Sequence, residues 1–234
     1  MIDSRQTVHA LIVAAGKGSR FGADKPKQYL KITDQTVLQE SVARLNVDEL
    51  KNLTLVVAEE DGYVDGLSFD FDGRIRRAWG GAERWQSVMN GVNDIRNHGA
   101  CDDDWILIHD AARPCLPKSD LMAVLAMLNH TKCEGVILAT PVVDTLKQVS
   151  QGHVVKTVDR NLLWQAQTPQ VFRLKALEEV LSQVAVCGMK ITDEASGFEI
   201  LGRKVEVVAG SRLNMKLTYA EDLPLLQAIL SILI

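Results

Sequence analysis

Short, nearly unbroken apolar runs at residues 9–15 (HALIVAA), 53–58 (LTLVVA), 105–109 (WILIH) and 135–139 (GVILA) constrain this chain most. Strands of this kind offer no polar face to water, so they belong in a mainly parallel sheet covered by helices on both sides. Helical spacing fills the gaps between them. Val37, Leu38, Val42 and Leu45 share a face over residues 36–45, with Thr33 or Asp34 available as cap. Val88, Val92 and Ile95 do the same over 82–95, and 120–128 reads as a third helix. Residues 75–79 add a further strand. At 234 residues, an α/β fold spanning 1–234 as one domain with an elaboration is expected, rather than two full domains.

The alternation breaks at residues 142–160 (VVDTLKQVSQGHVVKTVDR), where apolar and polar residues alternate on either side of Gln151 and Gly152. That pattern predicts a hairpin. Inserted in a parallel-sheet domain, it is either an arm that interlocks two subunits or a surface excursion. Beyond it, 173–186 and 193–201 read as helices, 205–208 as a strand and 219–234 as a closing helix. The last stretch, LPLLQAILSILI, is too short to cross a bilayer as a helix, so it is expected to pack on the body or on a partner subunit.

The first strand runs into a loop dense in glycine and positive charge, AAGKGSRFGADKPK. Gly16, Gly18 and Gly22 let backbone N–H groups approach a ligand, and Lys17, Arg20, Lys25 and Lys27 face the single acid Asp24. Glycines here serve turn geometry in many sheet-to-helix connections, but the clustered cations and rigid Pro26 favour a phosphate site. Two familiar phosphate loops fail. No glycine is followed by Lys and then Ser or Thr, and the dinucleotide pattern needs glycine at 21, where Phe21 stands.

Net charge is −4, so nothing draws the whole molecule to nucleic acid or to anionic lipid. A basic loop in a mildly acidic protein favours a small anionic ligand. Cys101, Cys115, Cys133 and Cys187 are widely spaced and form no C-x-x-C pair, which fits reduced thiols in a cytoplasmic protein. No signal peptide is read at the start of the chain.

Asp110 ends a strand at the sheet's carboxyl edge, where open α/β sheets bind ligands. It is either a cap for the following turn or a Mg²⁺ ligand beside phosphates, and Arg113 adds a cation to the same turn. Gly80 and Gly81 with Ser87 either start a helix or expose backbone groups that read a base edge. Arg160, Thr168, Thr192 and Lys216 sit in short polar stretches that taken singly are structural. His109, alone on an apolar strand, is read as a satisfied core residue. No G-x-S-x-G elbow and no Cys–His signature occurs. A phosphate monoester, with a second pKa near ~6, is already an anionic nucleophile and needs cations rather than a side-chain base.

The runs AAGKGSRFG…PKQYL, GGAERWQSV, HDAARPC, DTLK, TVDRNLLWQAQTPQVF, TDEAS and NMKLT occur in order over nearly the whole chain. Together they resemble the 2-C-methyl-D-erythritol 4-phosphate cytidylyltransferases of the non-mevalonate isoprenoid pathway. The resemblance implies a Rossmann-like nucleotidyltransferase domain with a β-arm at 142–160 that interlocks a homodimer. It implies that Arg20 and Lys27 hold the CTP phosphates and that the backbone of Ala14, Ala15, Gly16 and Gly18 lines the nucleotide pocket. Gly81, Ala82 and Ser87 would meet the cytosine, and Asp110 would bind Mg²⁺ or another divalent cation. Arg113, Thr168, Thr192 and Lys216, with Asp110, would surround methylerythritol phosphate. Thr145 and Arg160 would reach it from the neighbouring subunit's arm, with Arg160 and Lys216 positioning the attacking phosphate. Val13, Phe21 and Ala82 depart from residues frequent in the family, and none removes a charged group.

Two other functions compete. A ribitol 5-phosphate cytidylyltransferase resembles HDAVRP and lacks TDEAS, whereas this chain has Ala112 and residues 193–196 read DEAS. A non-catalytic nucleotide-binding protein of this fold should have lost Lys27, Asp110 or Lys216, and all are present.

Overall fold

A computed structural model of the chain describes residues 7–16 and 25–233. Five strands come first: β1 (Val8–Val13), β2 (Asn52–Val57), β3 (Arg74–Trp79), β4 (Trp105–Asp110) and β5 (Gly135–Pro141). β6 (Leu146–Ser150) and β7 (His153–Val158) pair antiparallel in a separate two-stranded sheet around the expected Gln151–Gly152 turn. Gln151 and Gly152 both carry positive φ there, at 48° and 80°. β8 (Trp164–Arg173) and β9 (Val205–Ala209) complete a seven-stranded sheet of order β3-β2-β1-β4-β8-β5-β9. Its neighbours run parallel except β8, which is antiparallel to both β4 and β5.

The helices are α1 (Val37–Ala43), α2 (Arg84–Asn97), α3 (Lys118–Met127), α4 (Leu174–Cys187), α5 (Glu194–Ile200) and α6 (Asp222–Ile232). They cover both faces. Val8, Ala10 and Ile12 of β1 pack in one cluster with Leu38 and Val42 of α1 and Leu121 of α3. Leu11, pointing the other way, packs with Val88 and Val92 of α2 and Leu177 of α4. Alternate residues of one strand thus enter opposite cores, which is why the run had to be apolar throughout. Leu226, Ile229 and Leu230 of α6 seal a third cluster with Ile32, Val37 and Leu217. No helix among the described residues is long and apolar enough to cross a membrane.

Two expectations are corrected. The cap of α1 is Thr36, not Thr33 or Asp34: its hydroxyl accepts from Gln39 N–H, and the Gln39 side chain accepts from the Thr36 N–H in return. More consequentially, Thr168, read in a short polar stretch, and Arg173, read as the start of a helix, both lie in the ten-residue strand β8 inside the sheet. Pro169 cannot donate to a ladder, and it falls where the β5–β8 register shifts between Ile137 and Ala139.

Candidate active site

The carboxyl ends of β1, β3 and β4 and the middle of β8 meet at one edge of the sheet, because Val13 and Asp110 are register partners. On the β1 side, the Gln28 amide donates to the carbonyls of Ala14 (2.6 Å) and Gly16 (3.2 Å) and so fixes the exit of the strand. Beside it, β3 runs out into Gly80, just past its last residue, where an added Cβ would lie 2.3 Å from the Ala15 Cβ. Only glycine lets the two loops approach this closely. The Ser87 hydroxyl accepts from Gly81 N–H at 3.0 Å and donates to the Glu83 carbonyl, which holds the turn against the start of α2. Ala14 and Ser87 are buried, Ala15 is half-buried, and Gly16, Gly81 and Ala82 are exposed along this wall. Gly18 and Arg20, expected at the same place, lie outside the described residues.

Asp110, 8% exposed, is the centre of the second wall. Its Oδ2 accepts from Lys216 Nζ at 2.7 Å and lies 3.7 Å from Arg113 Nε, while Oδ1 meets Arg84 Nη2 at 3.3 Å. Burial works to raise the pKa of this carboxyl. The positive charges of Arg84, Lys216 and Arg113 outweigh it and hold the group far below the usual carboxylate range, so it stays ionised. Arg113 is fixed from its other end by the carbonyls of Asn214 (2.7 Å) and Ala166 (3.4 Å). Lys27 reaches the same loop, donating from Nζ to the Leu217 carbonyl.

The wall is carried from beneath by β8. Thr168 Oγ1 accepts from Asp110 N–H and donates to His109 Nδ1, both at 3.0 Å. His109 Nε2 donates to the Arg113 carbonyl at 3.1 Å. Burial lowers the His109 pKa to about 4, so the ring is neutral and its tautomer is set by those two partners. Its expected place in the core therefore holds. Asn214 donates to the Thr168 carbonyl, and Gln170 donates to Asp193 Oδ2 at 2.8 Å and accepts from Ala195 N–H. Gln170 thereby seats the first turn of α5, just past the exposed Thr192, whose N–H is held by Ser196 Oγ.

Sequence reasoning named Asp110, Arg113, Lys216 and Thr168, and the structure brings these four together. It did not single out Arg84 or Glu194. Arg84 Nη1 lies 2.6 Å from both oxygens of Glu194, a carboxylate with no exposure at all. Both residues stand inside the quoted runs GGAERWQSV and TDEAS, which was the one available signal. Thr145 and Arg160 stand exposed at the feet of the β6–β7 arm. Among the described residues, no hydrogen bond or ion pair joins their side chains to the Asp110 cluster.

Asp110 is a single carboxylate set among cations, and no group of three or more His, Cys, Asp or Glu ligands occurs among the described residues. This donor set fits Mg²⁺ held by one carboxylate and completed by substrate phosphate oxygens, as that ion usually is in phosphoryl-transfer sites.

A family model for 2-C-methyl-D-erythritol 4-phosphate cytidylyltransferase matches residues 8–232. A protein of that name from Psychrobacter arcticus is 45% identical, over 98% of this chain and 93% of its own. One from Pseudomonas putida is also 45% identical, over 95% of each chain. A crystal structure of a 4-diphosphocytidyl-2C-methyl-D-erythritol synthase superposes with a TM-score of 0.83 at 37% identity, covering 97% of this chain and 99% of that one. The Francisella tularensis cytidylyltransferase structure gives 0.82 at 32% identity, covering 96% and 100%. The fold is that of these Rossmann-like nucleotidyltransferases.

Proposed function

Because the chain belongs to the 2-C-methyl-D-erythritol 4-phosphate cytidylyltransferase family, we propose that it transfers the cytidylyl group of CTP to 2-C-methyl-D-erythritol 4-phosphate. The products are 4-diphosphocytidyl-2-C-methyl-D-erythritol and pyrophosphate. The observation that carries the reading is the buried, ionised Asp110 ringed by Arg84, Arg113 and Lys216 at the strand ends, beside a glycine-shaped wall. A substrate phosphate oxygen attacks the α-phosphorus of CTP in line. One O–P bond forms, the bond to the β-phosphate bridge breaks, and the electron pair leaves with pyrophosphate. No side-chain base is required, which agrees with the neutral, fully bonded His109.

The residue roles are proposed from the family resemblance. Arg20 and Lys27 hold the triphosphate, and the backbone of Ala14, Ala15, Gly16 and Gly18 lines its pocket. Gly81 and Ala82 present backbone groups to the cytosine, shaped by Ser87. Arg113, Thr192 and Lys216 face the second substrate. Thr168, whose hydroxyl already serves Asp110 and His109, has one lone pair left to accept from a substrate hydroxyl. Asp110 holds Mg²⁺ or another divalent cation, which when bound offsets charge on the α-phosphate and the leaving group. Thr145 and Arg160 act across a homodimer through the arm, within one domain spanning 1–234. The free thiols suit a cytoplasmic enzyme. Catalysis is positioning plus electrostatic stabilisation.

Pyrophosphate release from purified protein with CTP and Mg²⁺ tests the reading. Turnover with methylerythritol 4-phosphate and none with ribitol 5-phosphate is expected; the reverse, or CTP binding without release, would overturn it. Lys27→Ala is expected to lower kcat by about a hundredfold or more, with a smaller change in KM. A raised KM alone would remove Lys27 from transition-state stabilisation.

A further inference from the structure

Arg84 lies between two buried carboxylates and does not treat them equally. Its Nη1 sits 2.6 Å from each oxygen of Glu194, while its Nη2 stands at 3.3 Å from Asp110 Oδ1. Glu194 is fully buried on the first turn of α5, and Arg84 is its salt-bridge partner. Asp110 has other cations: Lys216 bonds its Oδ2 at 2.7 Å, and Arg113 stands on the same side. The Arg84 hydrogen bond to Oδ1 is thus the longer of its two carboxylate contacts.

We propose that Glu194 is a positioning residue that restricts the Arg84 guanidinium to one long hydrogen bond on Asp110 and so leaves a lone pair of Oδ1 open to a divalent cation. An arginine free of Glu194 would close on Asp110 as a paired fork, the geometry in which guanidinium and carboxylate bind best. That closure would occupy the lone pairs a metal needs. The site thus carries a second acid to keep its own arginine from covering the first. Because Glu194 opens α5 and Arg84 opens α2, the pair also ties the wall bearing Thr192 to the wall bearing Gly81. This inference rests on the assignment of a cation to Asp110 made above.

The experiment measures binding of Mn²⁺, by its free-ion electron paramagnetic resonance signal, to the full chain with CTP and no second substrate. Asp110→Asn checks the assignment beneath the inference: if it leaves Mn²⁺ affinity unchanged, the metal is held elsewhere and both ideas fall. If Asp110→Asn weakens binding, Glu194→Gln is expected to weaken it too, by about tenfold or more, the cost of losing an outer-shell partner at metal sites. Arg84→Gln combined with Glu194→Gln removes the intruding cation. It is expected to recover affinity to within about threefold of wild type, a coupling outside simple additivity. Arg84→Lys, whose single ammonium cannot span both acids, is expected to bind Mn²⁺ at least as well as wild type and serves should Glu194→Gln fail to fold. An unchanged affinity in Glu194→Gln would overturn the proposal. So would equal weakening in Glu194→Gln, the double variant and Arg84→Lys, because that pattern means the pair merely supports the wall.

Discussion

The His109 imidazole is a neutral ring locked between a hydroxyl and a carbonyl, and that state has a measurable cost in acid. Its pKa falls to about 4 on folding through burial, against an unfolded value near 6.5. Between those values the unfolded chain binds the extra proton, so stability is complete above about pH 6.5 and drains away as pH falls towards 4. Urea unfolding at pH 7 and pH 5 is expected to show the wild type losing roughly 2 kcal/mol more than His109→Gln, at about 1.4 kcal/mol per pH unit. Glutamine can donate to Arg113 and accept from Thr168 without titrating, so equal losses in both proteins would show that His109 is not the group responsible. Cys115 behaves as its burial dictates in the other direction. Burial pushes its thiol up to about 12, and its Sγ lies 3.6 Å from the Leu226 carbonyl. A thiol reagent at pH 8 should label the exposed Cys101 and Cys187 in the folded protein and reach Cys115 only after unfolding.

Helix α2 lies closely on the sheet at Gly91, where a Cβ would meet Leu11 Cδ1 at 2.4 Å and Val56 Cγ2 at 2.8 Å. Two effects oppose each other in Gly91→Ala. Alanine improves helix propensity by about 1 kcal/mol, while forcing a methyl into a filled core costs about 1–3 kcal/mol. Packing wins because Leu11 and Val56 are wholly buried, so a net loss of about 1 kcal/mol is expected, read as a lower urea midpoint at unchanged slope. A raised midpoint would mean the helix can move outward. The elements that could be read from the chain are those whose environment is written locally. β1, β2, β4 and β5 are buried on both faces, and their residues say so. Strand β8 is not of that kind. Its Gln167, Thr168 and Gln170 are buried, but their partners are Ser211, Asn214, His109, Asp193 and Ala195, all more than twenty positions away. A polar run satisfied by distant groups looks like a loop until the fold supplies those groups. Arg84 and Glu194, 110 positions apart, were hidden for the same reason. Asp110 and Arg113, three apart on one turn, were not.

The β6–β7 arm leaves Val149, Val154 and Val155 more than half exposed, and Leu162, just beyond it, 91% exposed. A two-stranded hairpin with apolar side chains in water is marginal alone, which argues that a second copy of the chain covers it. In the proposed homodimer, Thr145 and Arg160 at its feet would face the neighbour's site. Shared sites make a prediction that no single-chain arrangement shares. Arg160→Ala and Lys216→Ala should each be nearly inactive alone. Unfolded together and refolded as a mixture, about half the dimers carry one chain of each kind, and one of their two sites draws Lys216 and Arg160 from intact sequences. Activity is therefore expected to return to about a quarter of the wild-type level, in a species that sediments as a dimer. Refolded dimers with no recovered turnover would place Arg160 in its own chain's site, or in none, and the arm would then be a contact surface without a share in the chemistry.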